Sequence, residues 1–276
     1  MNCKLKLLVE SAFMESEKLL VHCITSAVTS EILVNAILSV GGSAFLTEDS
    51  RSIEVAVKRS DALLLNFGQM SLAREQAIRL AHHYATNFQT PMVVDLVAIS
   101  TNSINKALAN DLVFAQGSLI KGNMSEMRAY AGLSNQGHGV DAGQADGELT
   151  SVNELSRHLK AMAQVSGLTY LATGSVDLIV TQDQSFLLKN GVTELVSFTG
   201  SGDIVGALAA YWMAKGFTSL DAAILAVSYF NLCGEKVYQE FTQPMGYAAF
   251  RYQVLNQLSL LKLDQNWHQA IRSELL

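Results

Sequence analysis

The run Phe198-Thr199-Gly200-Ser201-Gly202-Asp203-Ile204-Val205-Gly206 leads directly into the apolar segment ALAAYWMA. A glycine turn that opens a helix leaves backbone N–H groups unpaired at the positive end of the helix dipole, an arrangement suited to phosphate oxygens. Gly200 and Gly202 lack a Cβ and so let the backbone come close to a ligand. Asp203, in the first turn, is placed to take the proton of an attacking hydroxyl, and phosphoryl transfer asks chiefly for positioning and electrostatic support. The chemistry this predicts is phosphoryl transfer to an alcohol with Asp203 as the base. The same dipole stabilises an ionised carboxylate, which predicts a weak base. The motif also reads as a plain helix start in which Asp203 is only a cap.

Two further acids have positions suited to chemistry. Asp95 ends the apolar run MVVD and is expected at the carboxyl edge of a parallel sheet, where it could hold magnesium through water or simply cap the next helix. Asn123 and Glu126 form an N-x-x-E pattern that starts a helix, a role compatible with a magnesium site at Glu126. Asn66 ends LLLN, where it could touch substrate or satisfy a turn. His22, in an apolar run with no second ligand nearby, reads as a packed core histidine, and adjacent His82 and His83 do not share a helix face.

These residues need a layered scaffold. Ser43–Thr47, Ala62–Phe67, Met92–Val97 and Tyr170–Thr173 read as strands; Leu72–Tyr84, Glu154–Val165 and Ile204–Ala214 read as helices. Their alternation predicts an α/β fold, a central and mostly parallel sheet flanked by helices in three layers. LLVESAFMESEKLL reads as an amphipathic opening helix, and the chain beyond Ser219 as helical almost to its end, broken near Pro244 and Gly246. The polar, glycine-dense stretch from Asn135 to Thr150 is expected to be a surface loop or lid.

The 276 residues, with no linker-like stretch, are expected to form one domain spanning 1–276. A hydrophobic share of 49% supplies a core and apolar surface to spare for an oligomer, while a net charge of −6 without a basic run excludes a nucleic-acid binder. Cys3, Cys23 and Cys233 stand singly and read as free thiols. The N-terminus has no continuous apolar h-region and no stretch is long enough to span a bilayer, so a cytoplasmic protein without a membrane partner is expected.

Seven segments, taken in order, resemble the hydroxyethylthiazole kinase family, ribokinase-like enzymes that phosphorylate 4-methyl-5-(2-hydroxyethyl)thiazole in thiamin salvage. They are Leu20-Val21-His22-Cys23-Ile24-Thr25, Gly41-Gly42-Ser43, Asp61 through Gly68, Val93-Val94-Asp95, Ile120 through Glu126, Ala172-Thr173-Gly174 with Asp177, and Thr199 through Asp203. The resemblance implies a ribokinase-like fold, ATP as co-substrate, Mg2+ as cofactor and Asp203 as catalytic base. It implies nucleotide contacts at Lys121 and Thr173, substrate contacts at Leu46 and Gly200, and a metal contact at Glu126; the positions of Asn123 and Gly202 add them to the nucleotide side, Asn66 to the substrate side and Asp95 to the metal. It further implies a homotrimer with the pocket at a subunit boundary. Lys121 stands where the family has arginine, which keeps the charge and loses the bidentate fork. The family's D-P-V-G-A-G segment reads Asp95-Leu96-Val97-Ala98-Ile99-Ser100, so the proline and both glycines, which allow close backbone approach, are replaced. Two alternatives stay open: a kinase for another small heterocyclic alcohol, and a non-catalytic nucleotide- or thiazole-binding protein of the same fold.

Overall fold

The computed structural model describes residues 2–14, 17–138, 141–241 and 246–276, with residues 2–5 as backbone alone. Short apolar runs bounded by turn residues form strands: β1 (Leu20–Ile24), β2 (Ser43–Leu46), β3 (Ala62–Asn66), β4 (Met92–Asp95), β5 (Leu119–Asn123), β6 (Thr169–Thr173), β7 (Asp177–Val180), β8 (Ser185–Leu188) and β9 (Ser273–Leu275). Between them lie α1 (Asn2–Ala12), α2 (Ser30–Ser39), α3 (Ile53–Lys58), α4 (Leu72–Phe88), α5 (Ser103–Asp111), α6 (Met124–Tyr130), α7 (Leu149–Ser166), α8 (Ser201–Ala214), α9 (Ser219–Glu240) and α10 (Tyr247–Leu260).

The strands form one sheet in the order β2-β1-β3-β4-β5-β6-β7-β8-β9. The first six pair in parallel, and β7, β8 and β9 are added antiparallel. Because β3 and β4 are buried at every position, both faces must be covered, and their sequences are continuous apolar runs rather than alternating ones. Leu64, Val93, Leu119 and Leu171 face a core shared with α1, α2, α8, α9 and α10. Leu63, Leu65, Val94 and Ile120 face a second core with α3 to α7. The result is the predicted three-layer architecture. Helix α8 is apolar around its whole circumference and is buried from Ile204 to Met213, as a helix sandwiched between the sheet and α9 must be. No helix among the described residues is long and apolar enough to cross a membrane.

Two expectations need correction. The opening amphipathic segment does not stay helical: α1 ends at Ala12 and Leu20 already belongs to β1, because that run is buried between β2 and β3. The C-terminal region, expected to be helical almost to its end, has its last α-helix stop at Leu260 and closes with β9, which pairs with β8. A two-strand pairing of 185–188 with 273–275 joins segments too far apart for local periodicity to register. Pro244 lies outside the described residues; the helices flanking it end at Glu240 and begin at Tyr247. The polar stretch from Asn135 to Thr150 lies mostly at the surface, as expected, and is tied down there: buried Asp146 accepts from Ser125 Oγ at 2.5 Å and from the Gln136 N–H at 2.7 Å. Its residues Gly139 and Val140 lie outside the described residues, as does the Cys3 side chain, while Cys23 and Cys233 are buried free thiols.

Strand β1 has β2 on one side and β3 on the other, so the chain reverses its direction of growth between β1 and β3. In an open α/β sheet the crevice at the carboxyl ends beside such a reversal is where ligands bind.

Candidate active site

Register builds the site. Asn66 pairs with Asp95 and Asp95 with Lys121 across β3, β4 and β5. In a parallel sheet paired residues share a face, and each of these lies two positions beyond Leu64, Val93 or Leu119 of the core under α8. A polar row therefore caps an apolar row at the carboxyl edge. Its members are buried: Asn66 is 0% exposed, Asp95 1% and Lys121 3%.

Helix α8 closes the row from above. Gly200 is its N-cap with φ of 100°, a left-handed conformation that glycine tolerates. A Cβ on Gly202 would sit 3.3 Å from Lys121 Nζ, so the missing side chain leaves the ammonium directly beneath the helix start. Asp203, half-buried, accepts a hydrogen bond from Asn66 Nδ2. The same amide nitrogen lies 3.4 Å from Asp95 Oδ2, which also accepts from Lys121 Nζ at 2.8 Å. Asn66 Oδ1 takes the Gly68 N–H at 2.8 Å. The structure thus brings Asn66, Asp95, Lys121 and Asp203 into one contact group, with Gly200 and Gly202 beside it.

Glu126 is the third residue of α6 and completes a capping box: Asn123 Oδ1 accepts from the Glu126 N–H at 2.9 Å, and Glu126 Oε2 accepts from the Asn123 N–H at 2.7 Å. Glu126 Oε1 accepts from the Ala98 N–H at 2.7 Å. The cap and the candidate metal contact are thus the same side chain. Thr173, at the end of β6, pairs with Asn123 and donates to the Gly122 carbonyl at 3.4 Å. Leu46 lies apart from this group, half-buried at the end of edge strand β2 and packed on the core under α8.

Burial dominates the electrostatics. It raises the Asp203 carboxyl above the usual aspartate range, against the pull of Lys121 and the Asn66 hydrogen bond. The helix dipole pulls the other way, towards the ionised form, and burial opposes it. Asp95 is pushed up to about 6 by burial, against the attraction of Lys121. Burial pulls the Lys121 ammonium down, but Asp95, with help from Asp203 and Glu126, leaves it above its ordinary value. Glu126 is pushed up to about 7 by burial and by the Asp95 charge, against the two backbone N–H groups that bond it.

The altered segment after Asp95 keeps a glycine-like backbone without glycine. Ala98 has φ of 63°, and its N–H is the one aimed at Glu126. Leu96, in place of proline, supplies an N–H to the Lys121 carbonyl at 2.7 Å, which proline could not. A Cβ on Gly137 would meet Ser100 Oγ at 2.7 Å, so the polar loop comes close over the serine that replaced the second glycine. Periodicity gives no hint of Ala98's conformation, since alanine is not a positive-φ residue by habit. The Asn66 bridge was equally hidden, although a polar residue two positions beyond a buried leucine in LLLN was its one available signal.

Residues 12–264 match the hydroxyethylthiazole kinase family. The chain is 45% identical over 256 residues to hydroxyethylthiazole kinase 2 of Streptococcus pneumoniae, covering 92% of this chain and 94% of that protein. Its fold is similar to that of a hydroxyethylthiazole kinase protein from Pyrococcus horikoshii OT3, with a TM-score of 0.81, 22% identity and coverage of 98% and 99% of the two chains. A ribokinase-like superfamily protein from Enterococcus faecalis V583 shares the fold at a TM-score of 0.69 and 12% identity, over 94% of each chain. Motif order, register and these matches agree, and the chain belongs to the hydroxyethylthiazole kinase family.

Proposed function

We propose that the chain transfers the γ-phosphoryl group of ATP to the primary alcohol of 4-methyl-5-(2-hydroxyethyl)thiazole, with Asp203 as the base. The reading rests above all on Asp203: a carboxylate at the electropositive start of α8, bonded to Asn66 and near Lys121, in a chain 45% identical to a hydroxyethylthiazole kinase. The alcohol oxygen bonds to the γ-phosphorus as the bond from that phosphorus to the β–γ bridging oxygen breaks; ADP leaves, and Asp203 keeps the hydroxyl proton. Burial raises Asp203's affinity for that proton. The open N–H groups of the first turn of α8 and the Lys121 ammonium face the negative charge on the transferring group. Thr173 and Asn123 flank the nucleotide, while Gly200 and Leu46 line the thiazole side.

Magnesium fits this donor set. Asp95 Oδ1 is buried and has no hydrogen-bond partner, so it is an acceptor in want of a cation or its water. Among the described residues no group of three or more His, Cys, Asp or Glu side chains could hold a metal by itself. Magnesium suits such a sparse site because it keeps several waters and takes nucleotide phosphates as ligands. Asp95 would hold it with Glu126 through water, and the ion would neutralise phosphate charge. A trimer would cover the exposed Phe45 and half-buried Leu46 of β2.

Purified protein given Mg-ATP and the thiazole alcohol should yield ADP and the alcohol's phosphate monoester. Asp203→Asn should lower kcat by about 10³-fold, the scale of general-base catalysis, without lowering the melting temperature. Full turnover by that variant, or none by the parent protein, would refute the assignment.

A further inference from the structure

We infer that Asn66 is a positioning residue that fixes which oxygen of Asp203 meets the alcohol. This rests on the reading of Asp203 as the base. The orientation of the amide is set by chemistry: the Gly68 N–H can only donate, and it lies 2.8 Å from Asn66 Oδ1. The NH2 end must then point the other way, where Asp203 Oδ1 accepts from it and Asp95 Oδ2 lies at 3.4 Å. Asn66 is 0% exposed, so the amide has no room to turn over in solvent.

A carboxamide NH2 donates to a carboxylate and cannot serve as its base. It holds Asp203 Oδ1, so that, with the Thr29 hydroxyl and the backbone also beside the carboxyl, Oδ2 is the oxygen that Asn66 leaves for the incoming hydroxyl. Asp95 Oδ2 is meanwhile held by Lys121 at 2.8 Å. Two acids in one crevice are thereby given different tasks: Asp95 is neutralised by an ammonium, and Asp203 is aimed by a neutral donor.

A residue that acts through Asp203 has a kinetic signature that a merely structural one lacks. Asn66→Ala should lower kcat about 10²-fold while KM for ATP and for the alcohol each stay within about threefold, the pattern of an interaction made in the transition state. In an Asp203→Asn background the same change should cost almost nothing more, because groups working as one unit are non-additive. If the two losses multiply, or if KM carries the effect, Asn66 is structural and the inference falls while the base assignment stands. If Asp203→Asn retains activity, the base assignment itself falls. Should Asn66→Ala not fold, Asn66→Asp has the same shape, can still accept the Gly68 N–H, and carries the same cycle. Parental kcat in that variant overturns the inference as well.

Discussion

Two buried polar clusters in this chain differ in how much of their bonding capacity is used. Around Asp177 the network is closed. Its Oδ1 accepts from the Gly174 N–H at 3.1 Å and its Oδ2 from Asn231 Nδ2 at 2.8 Å. Asn231 also bonds the Asn190 carbonyl, and Asn190 Oδ1 accepts from the Arg272 N–H. Glu235 accepts from Asn190, the Gly191 N–H and the Arg272 guanidinium, tying β9 to α9. Around Asp203 the network is open, with Asp95 Oδ1 lacking any partner and Asp203 only half-buried. Both clusters hold shifted acids, since burial pushes Asp177 up to about 7. A perturbed acidity alone therefore does not separate the candidate site from a structural brace; the unspent Asp95 acceptor is what the two clusters do not share.

The sharpest way to break this contrast is Lys121→Met. It strips the partner from a fully buried carboxylate, so stability should fall by about 3–5 kcal/mol and catalysis should be lost as well. Denaturant unfolding and kcat check both, and a variant that keeps its stability would show Asp95 protonated or hydrated rather than paired.

Next comes pH. Asp177 and Glu126 have folded values of about 7, above the ordinary carboxylate values expected of the unfolded chain. Between roughly pH 4.5 and 7 the folded state thus holds protons that the unfolded chain has released, and stability must fall as pH rises, by up to about 1.4 kcal/mol per pH unit for each proton. Asp49 and Glu154 are shifted the other way by Arg51 and Arg128, so their contribution is lost only as pH falls below the ordinary carboxylate range. Melting temperature measured from pH 4.5 to 8 should decline, less steeply below about pH 6.5, where His22 and His82, held down by burial, push the other way; a rise between about pH 6.5 and 7 would mean that these acids are not buried as described.

Smaller is Arg272→Ala, which opens the closed cluster at its rim. Loss of about 1–2 kcal/mol is expected, typical of charged hydrogen bonds, with kcat unchanged within twofold. A large kcat effect would erase the distinction between the clusters. The smallest is Ala98→Gly. Relief of a left-handed alanine should raise stability by about 1 kcal/mol, readable as a shift in the denaturation midpoint, and a loss would mean that the cost of added backbone freedom prevails.

The segments Ala62–Phe67 and Met92–Val97 were legible as strands because burial on both faces demands short, continuous apolar runs, and their ends were only one or two residues off. Asp203 was legible because a glycine turn before an apolar helix has few other uses. By contrast, the pairings of Asn66 with Asp203 and of Lys121 with Asp95 could not be read from the chain. Asn66 and Asp203 are 137 residues apart and meet only when α8 lies across β3 and β4.

By itself the sequence determined the layered architecture, the helix-start loop and the identity of the acids, since these depend on periodicity, glycine and side-chain type over a few neighbouring residues. Only the tertiary structure decided which acid is paired, which acceptor is left open, and that Ala98 takes a glycine's backbone. Those outcomes depend on water removed and partners supplied by strands and helices distant along the chain, and no local pattern records them.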